Sequence, residues 1–85
     1  MPEEEIGAIT HYFGHIQVAG VRIDRGKLKV GDRIHVVGHT SDFEQTIDSM
    51  QVDHDSVEEA GPGDDVGVKV VDHAREHDKV FLVTE

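Results

Sequence analysis

Histidine is the residue type in this sequence with the most evident capacity for chemistry. Six of the seven histidines form pairs four residues apart, namely His11 and His15, His35 and His39, and His73 and His77. On a helix, this spacing would place two imidazoles on one face, where they could bind Zn²⁺. The pairs fall instead at predicted turns, strand ends and polar connections, and the chain has no His-Glu-x-x-His motif. We therefore expect no metal site and no cofactor.

Side chains that could act as catalytic nucleophiles are few. Cysteine is absent, and the three serines, Ser41, Ser49 and Ser56, lie in polar surroundings without an obvious base partner. The sequence also lacks the Gly-x4-Gly-Lys-Ser/Thr loop that cradles the phosphates of a nucleoside triphosphate. We predict a protein that is not an enzyme and does not bind GTP.

One basic segment stands out in an acidic chain. The formal net charge is −10, but residues 22–33 carry +3 and the remainder carries −13. Lys and Arg provide most of the affinity for nucleic-acid phosphates, so we expect any contact with RNA or another acidic partner to be made here. The candidate binding residues are Arg22, Arg25, Lys27, Lys29 and Arg33. Alternatively, they form a solvated edge that keeps strands of different molecules from pairing.

The elements predicted to position these residues are strands. Thirteen Val and nine Gly, with no Trp, are typical of short β-branched strands separated by turns. Alternating apolar residues predict strands most clearly at 33–37 and 66–71, and less clearly at roughly 6–13, 16–23, 43–52 and 79–84. In such a short chain, closure of the sheet would remove unpaired edges. The prediction is an all-β fold, a small closed antiparallel β-barrel of about six to seven strands.

One predicted strand has an irregular apolar pattern. In residues 16–23, we expect Ile16 and Val18, then Val21 and Ile23, to point inward, with a β-bulge near Gly20 where the alternation slips.

The length of 85 residues allows one domain. We assign residues 6–85 to it and residues 1–5 to a flexible acidic N-terminus. No apolar run is long enough to span a membrane, and the absence of cysteine accords with a reducing compartment. We expect a cytoplasmic protein.

Two segments carry a family signature. Residues 22–26 (Arg-Ile-Asp-Arg-Gly) and 28–32 (Leu-Lys-Val-Gly-Asp) resemble the core of the second domain of elongation factor Tu and related translational GTPases. Residues 59–68 (Glu-Ala-Gly-Pro-Gly-Asp-Asp-Val-Gly-Val) are similar to a strand entry of the same domain. The whole chain looks most like small stand-alone translation elongation factor-like proteins. A related barrel occurs as the C-terminal domain of collagenase-like peptidases that act in tRNA modification.

Three functions follow, in order of preference. The resemblance implies a non-enzymatic translation module that contacts a protein, the ribosome or a tRNA end. It also permits a detached accessory barrel subunit of a collagenase-like peptidase or tRNA-modifying enzyme. The composition permits a third, an acidic His-rich protein that responds to metal or pH. A protein or ribonucleoprotein partner is expected in the first two, and the oligomeric state stays open.

Overall fold

The fold consists of short β-strands joined by turns. The structure, a computed structural model, describes residues 3–53 and 55–84. Within these residues the strands are β1 (Glu3–Phe13), β2 (Val18–Ile23), β3 (Leu28–Lys29), β4 (Arg33–Val37), β5 (Asp42–Thr46), β6 (Met50–Val52), β7 (Asp55–Val57), β8 (Glu59–Ala60), β9 (Asp65–Lys69) and β10 (Lys79–Val83). The count exceeds the predicted six to seven because β3, β7 and β8 have only two or three residues each, too few to show an alternating pattern.

Eight of these strands form one antiparallel sheet. Its order is β5-β4-β10-β1-β2-β9-β6-β7, and β3 pairs with β8 in a separate two-stranded ribbon. The predicted all-β class and antiparallel pairing are confirmed. In the part of the chain that the structure describes, no helix is long and apolar enough to cross a membrane.

The first strand begins earlier than the sequence indicated. Glu3, Glu4 and Glu5 pair with Val83, Leu82 and Phe81 of β10. These residues therefore belong to β1, and the expectation that they form a flexible N-terminal segment needs this correction. Three consecutive glutamates gave no alternating signal, but the backbone hydrogen bonds to β10 hold them extended. Residues 1 and 2 of the same predicted segment lie outside the described residues.

The core is formed by the inward faces of these strands. On β4, Ile34 and Val36 are fully buried, and on β9 Val66 and Val68 are buried to the same degree, as their alternation predicted. Together with residues of β1, β2 and β10 they form one apolar cluster. Almost every inward position is an Ile, Val, Leu, Ala or Met, so the hydrophobic effect fixes which face of each strand points inward.

The bulge lies in β1 rather than in β2. The register between β1 and β2 shifts between Ile9 and His11. Because the extra residue is in β1, β2 keeps a regular alternation and buries Ala19, Val21 and Ile23. The predicted inward orientation of Ile16 and Val18 is wrong. Val18 has the opposite parity to Ala19 and lies on the outer face, while Ile16 belongs to the turn and is exposed.

One glycine in β1 is required by the close packing of backbones. A Cβ added to Gly7 would lie 1.9 Å from the carbonyl oxygen of Arg22 on β2. Gly7 is also where the register between β1 and β10 shifts. β1 and β2 can therefore approach each other this closely only because residue 7 has no side chain.

Candidate functional site

An open groove crosses the outer face of β2 and β9. Its floor is formed by Gly20 and Gly67, which are direct backbone partners in the ladder between these strands. Their neighbours in sequence point into the core, so both glycines face outward without a side chain, and the Thr10 hydroxyl donates to the carbonyl of Gly20 at 3.2 Å. The cavity above them has a volume of about 570 Å³. Two paired glycines therefore create a trough in a sheet that is otherwise covered by side chains.

One end of the groove is apolar. Phe13, Ile16 and Val18 line it, from the tip of the β1–β2 hairpin. Phe13 is 51% exposed and Ile16 is 62% exposed. Val71, 69% exposed, lies beside this tip, because the amide of Val70 donates a hydrogen bond to the carbonyl of Gln17 at 2.9 Å. Single exposed apolar residues are common on protein surfaces, but here three large ones lie together at one end of a small domain. Exposed apolar patches of this kind mark sites of contact with other proteins.

The other end of the groove is polar. Arg22 and Asp65 are backbone partners across β2 and β9, so their side chains lie on the same face. Gln51 and Asp53 from β6 and the following turn complete the rim. An apolar pocket bordered by a few polar groups is the usual composition of a recognition site.

The basic residues predicted as binding site are all exposed but do not form a continuous positive surface. Lys29 faces Glu59 across the ribbon of β3 and β8. The Arg33 Nε donates to Glu44 Oε1 at 2.9 Å. Arg22 lies opposite Asp65, as described above, and Arg25 and Lys27 occupy the connection between β2 and β3. The positive local charge counted along the sequence is thus largely offset by acidic residues from neighbouring strands.

Within residues 3–53 and 55–84, no two of the paired histidines belong to one cluster of three or more potential metal ligands. His11 contacts the ring of Phe13, and His73 packs edge-on against Tyr12 with ring centroids 4.5 Å apart. His35 lies on β4, while His39 follows in the exposed turn. The first two pairs span the ends of β1 and β4, and the third lies in the connection between β9 and β10, so none of them is carried on a helix that would place both rings on one face.

His35 has partners of a different kind. Its Nε2 lies 2.5 Å from Asp42 Oδ1, and its Nδ1 lies 3.0 Å from Glu3 Oε2. The hydrogen bond with Asp42 raises the pKa of His35 above its ordinary value, against the opposing effect of partial burial, and Glu3 adds to the rise. Sequence reasoning missed this cluster because Glu3 is 32 residues from His35.

The groove was also missed, although the sequence contained signals for it. Ala19, Val21 and Ile23 are enough to supply the inward face of β2, which leaves Val18 for the outside. Gly20 and Gly67 lie within strands rich in valine, where glycine often marks a place that another chain approaches closely. Their direct pairing could not be inferred, since it depends on the register between β2 and β9.

The comparison with known families agrees with this fold. Residues 17–80 match the model of the family described as elongation factor Tu domain 2. The chain belongs to this family. The match includes both segments on which the resemblance was based.

Relatives of this elongation factor Tu domain 2 chain carry peptidase names. An uncharacterized protease of Methanocaldococcus jannaschii is 38% identical over 82 residues, which cover 95% of this chain and 20% of that protein. This chain therefore spans about one fifth of the length of that relative.

Solved structures show the same fold. The C-terminal domain of a Geobacillus thermoleovorans protein assigned to the U32 peptidases has a TM-score of 0.87 at 20% identity, covering 95% of this chain and 93% of that one. Its selenomethionine variant gives a TM-score of 0.84 at 21% identity, with 91% and 96% covered. All three matches carry peptidase names, whereas the sequence was expected to resemble stand-alone elongation factors most. The 38% identity to a protease supports the second of the three functions better than the first.

Proposed function

We propose that this chain is a non-catalytic accessory domain of a U32-type peptidase and that its groove docks on the catalytic portion. The observation that carries the proposal is the 38% identity to a protease over 95% of this chain, combined with the small share of that protease which the match covers. The catalytic machinery of such an enzyme would then lie in the other four fifths, and the barrel would serve binding or positioning.

The groove supports a protein partner. The large exposed side chains Phe13, Ile16 and Val71 could be buried against apolar residues of the catalytic portion, and aromatic or aliphatic anchors of this kind dominate interface energies. Arg22 and Asp65 at the other end would fix the orientation through hydrogen bonds. The floor of glycines allows a partner segment to approach the backbone closely.

The same geometry argues against catalysis by this domain. Ser41, one of the three serines, is buried and its hydroxyl donates to the carbonyl of His73. The other two serines, Ser49 and Ser56, are exposed. The sequence has no cysteine, and among the described residues no serine hydroxyl is hydrogen-bonded to a basic side chain that could activate it as a nucleophile.

A translation role receives less support. RNA binding needs cationic groups free to meet phosphates, and three of the five candidates face carboxylates on neighbouring strands. The net charge of −10 repels a polyanion further. The acidic surface, with the absence of cysteine, is compatible with the cytoplasmic location that we propose.

We also propose that the sheet closes into a barrel. The Gln45 side chain on β5 donates to the carbonyl of Lys69 at 2.8 Å and accepts from the amide of Val71 at 2.8 Å. Gln45 lies on one end strand of the sheet order, whereas Lys69 belongs to β9 near the other end. A closed barrel would hold the groove rigid, which lowers the entropic cost of docking.

The proposal is tested by binding to a truncated peptidase. The Methanocaldococcus jannaschii protease is prepared with and without its matching 82-residue segment, and this chain is titrated into each by calorimetry. We expect binding to the truncated form only. Ile16→Asp should weaken it by at least about tenfold, since it places a charge in a buried contact.

The matched control is Val30→Asp, because Val30 is also exposed but lies away from the groove in the turn between β3 and β4. Val30→Asp should bind like the parent chain. Absence of binding to a folded truncated protease, or equal losses in the two variants, would contradict the proposal.

A further inference from the structure

Three strands bring a ligand-rich cluster together on the half of the sheet that lacks the groove. Glu3 on β1, His35 on β4 and Glu44 on β5 each offer one ligand atom, and these atoms all lie within 4.8 Å of one another. A fourth side chain, Asp42 on β5, meets the far nitrogen of the imidazole at 2.5 Å. The His35 side chain is only 19% exposed, so its ring is held between these partners.

The hydrogen bonds of this cluster cannot all be satisfied by a neutral imidazole. A neutral ring carries one N–H, and the short contact with Asp42 assigns it to Nε2. The lone pair of Nδ1 then faces both carboxylate oxygens of Glu3, at 3.0 and 3.1 Å. Two acceptors facing each other repel, so either a proton on Nδ1, as in an imidazolium that donates to both Glu3 and Asp42, or a metal ion in place of that proton must lie between them.

The charges of the cluster also call for a cation. Glu3, Asp42 and Glu44 contribute three negative charges, and Arg33, which donates to Glu44 Oε1 at 2.9 Å, contributes one positive charge. With a protonated imidazole the formal sum is −1, and when a metal ion displaces the Nδ1 proton the ligands sum to −2, which a divalent ion balances. Arg33 occupies only one of the two Glu44 oxygens, which leaves the other free to act as a ligand.

We propose that Glu3, His35 Nδ1 and Glu44 form a binding site for one Zn²⁺ ion. One imidazole with two carboxylates is a donor set that Zn²⁺ accepts, and three protein ligands leave a fourth position for water. Asp42 supplies the outer partner that metal-ligating histidines usually have, because it accepts the N–H of Nε2 and fixes the tautomer that exposes Nδ1. Mg²⁺ and Ca²⁺ fit less well, since they prefer oxygen ligands throughout.

A bound ion would tie distant parts of the sheet. β4 and β5 are neighbours, but β1 is separated from β4 by β10. Bridging Glu3 and Glu44 through the metal therefore links the start of β1 to an end strand of the sheet order. Any ligand that binds only the folded state raises its stability by mass action. Zn²⁺ should thus raise the midpoint of thermal unfolding.

The test uses the intact chain, stripped of metal with a chelating resin. Zn²⁺ is titrated by calorimetry, and thermal unfolding is followed by circular dichroism with Zn²⁺ or with EDTA. We expect one Zn²⁺ per chain and a higher unfolding midpoint with Zn²⁺. His35→Gln and Glu3→Gln should each weaken binding by at least about tenfold, whereas Asp42→Asn should weaken it less than either.

The matched control is His39→Gln, which removes an exposed imidazole four residues from His35. It should bind Zn²⁺ like the parent chain. Nitrogen chemical shifts of the histidine rings should show metal on Nδ1 of His35. Glu3→Gln keeps the test valid if His35→Gln proves unstable. The proposal is overturned if the parent chain binds no Zn²⁺ or if His39→Gln abolishes binding. It is also overturned if His35→Gln and Glu3→Gln both bind Zn²⁺ as tightly as the parent chain does.

Discussion

The two halves of the sheet present opposite surfaces to solvent. The half made by β2, β9 and β6 carries the groove, whose floor has no side chains and whose apolar end is exposed. The half made by β4 and β5 is covered by ionisable groups that contact one another, with His35 at the centre. Both halves share the strand β1 and one core. The proposed docking surface and the proposed Zn²⁺ site therefore lie on different strands of one small domain.

The largest effect is expected where the two halves meet, at Gly7 in β1. Gly7→Ala places a methyl group 1.9 Å from the Arg22 carbonyl oxygen, so β1 must separate from β2. We expect a loss of about 3 kcal/mol or more in the free energy of unfolding, and the groove and the His35 cluster should both be disrupted. Chemical denaturation measures it.

The control for this variant is Gly61→Ala, because an added Cβ there meets nothing within 4 Å. Its stability should change by less than about 0.5 kcal/mol. Similar stabilities for Gly7→Ala and Gly61→Ala would show that β1 and β2 do not pack as closely as described.

The next effect is confined to the groove. A Cβ on Gly67 lies at 3.4 Å from Val18 Cγ1, and its backbone has ordinary dihedrals, so Gly67→Leu should fold and fill the groove. Affinity for the truncated peptidase should fall by at least about tenfold, and Zn²⁺ binding should be unchanged. Calorimetry measures both. Thr46→Leu, an exposed position on β5, adds similar bulk to the other half and should leave peptidase binding intact.

A smaller effect concerns the pH dependence of the charged half. The raised pKa of His35 means that the folded state holds its proton more tightly than the unfolded chain. This contribution to stability is fully present below the unfolded pKa, about 6.5, and is lost as pH rises through the folded pKa. The groups around the ring are Glu3 from β1, Asp42 and Glu44 from β5, and Arg33 from β4.

Unfolding with EDTA between about pH 5.5 and 8.5 measures this effect. The stability difference between the parent chain and His35→Gln should shrink as pH rises, by less than about 1 kcal/mol because solvent screens the cluster. His39→Gln should follow the parent curve. A difference that grows with pH would mean that His35 is neutral in the fold at low pH, contrary to its contacts.

The smallest effect is expected from the basic segment. Arg25→Glu with Lys27→Glu changes two exposed residues outside both surfaces. Stability should change by less than about 0.5 kcal/mol, and peptidase and Zn²⁺ affinities should stay as they are. The same variant should show no change in tRNA retention on a native gel. Strong tRNA binding by the parent chain that this variant loses would instead support the translation function.

The sequence predicted the class of fold and the family because these depend on local patterns. Alternation at Ile34 and Val36, or Val66 and Val68, reports directly which face is buried. The glycine-containing turns and the family signature at residues 22–32 can likewise be recognised from residues that are adjacent in sequence. The register between β1 and β2 was predicted wrongly. The bulge was placed in β2, although the extra residue is in β1, and Val18 was therefore assigned to the wrong face of the sheet.

The candidate site was less predictable because it depends on pairing between distant residues. Gly20 and Gly67 make a groove only because β2 and β9 align them, and Glu3 reaches His35 only across β10. Counting charge along residues 22–33 gave a positive patch, whereas pairing placed Glu59 opposite Lys29 and Asp65 opposite Arg22. Charge in a β-sheet must be summed over neighbours in space, which a single sequence does not give.

The claim that the groove is the docking surface is tested most directly by hydrogen exchange in the complex with the truncated peptidase. The exposed turn at residues 14–17 borders the groove, and the exposed residues 39 and 40 lie in the connection between β4 and β5. Both segments should exchange fast in the free chain. On binding, we predict that amides at 14–17 become strongly protected while those at 39 and 40 keep their rate. Protection of 39 and 40 with unchanged exchange at 14–17 would contradict the account.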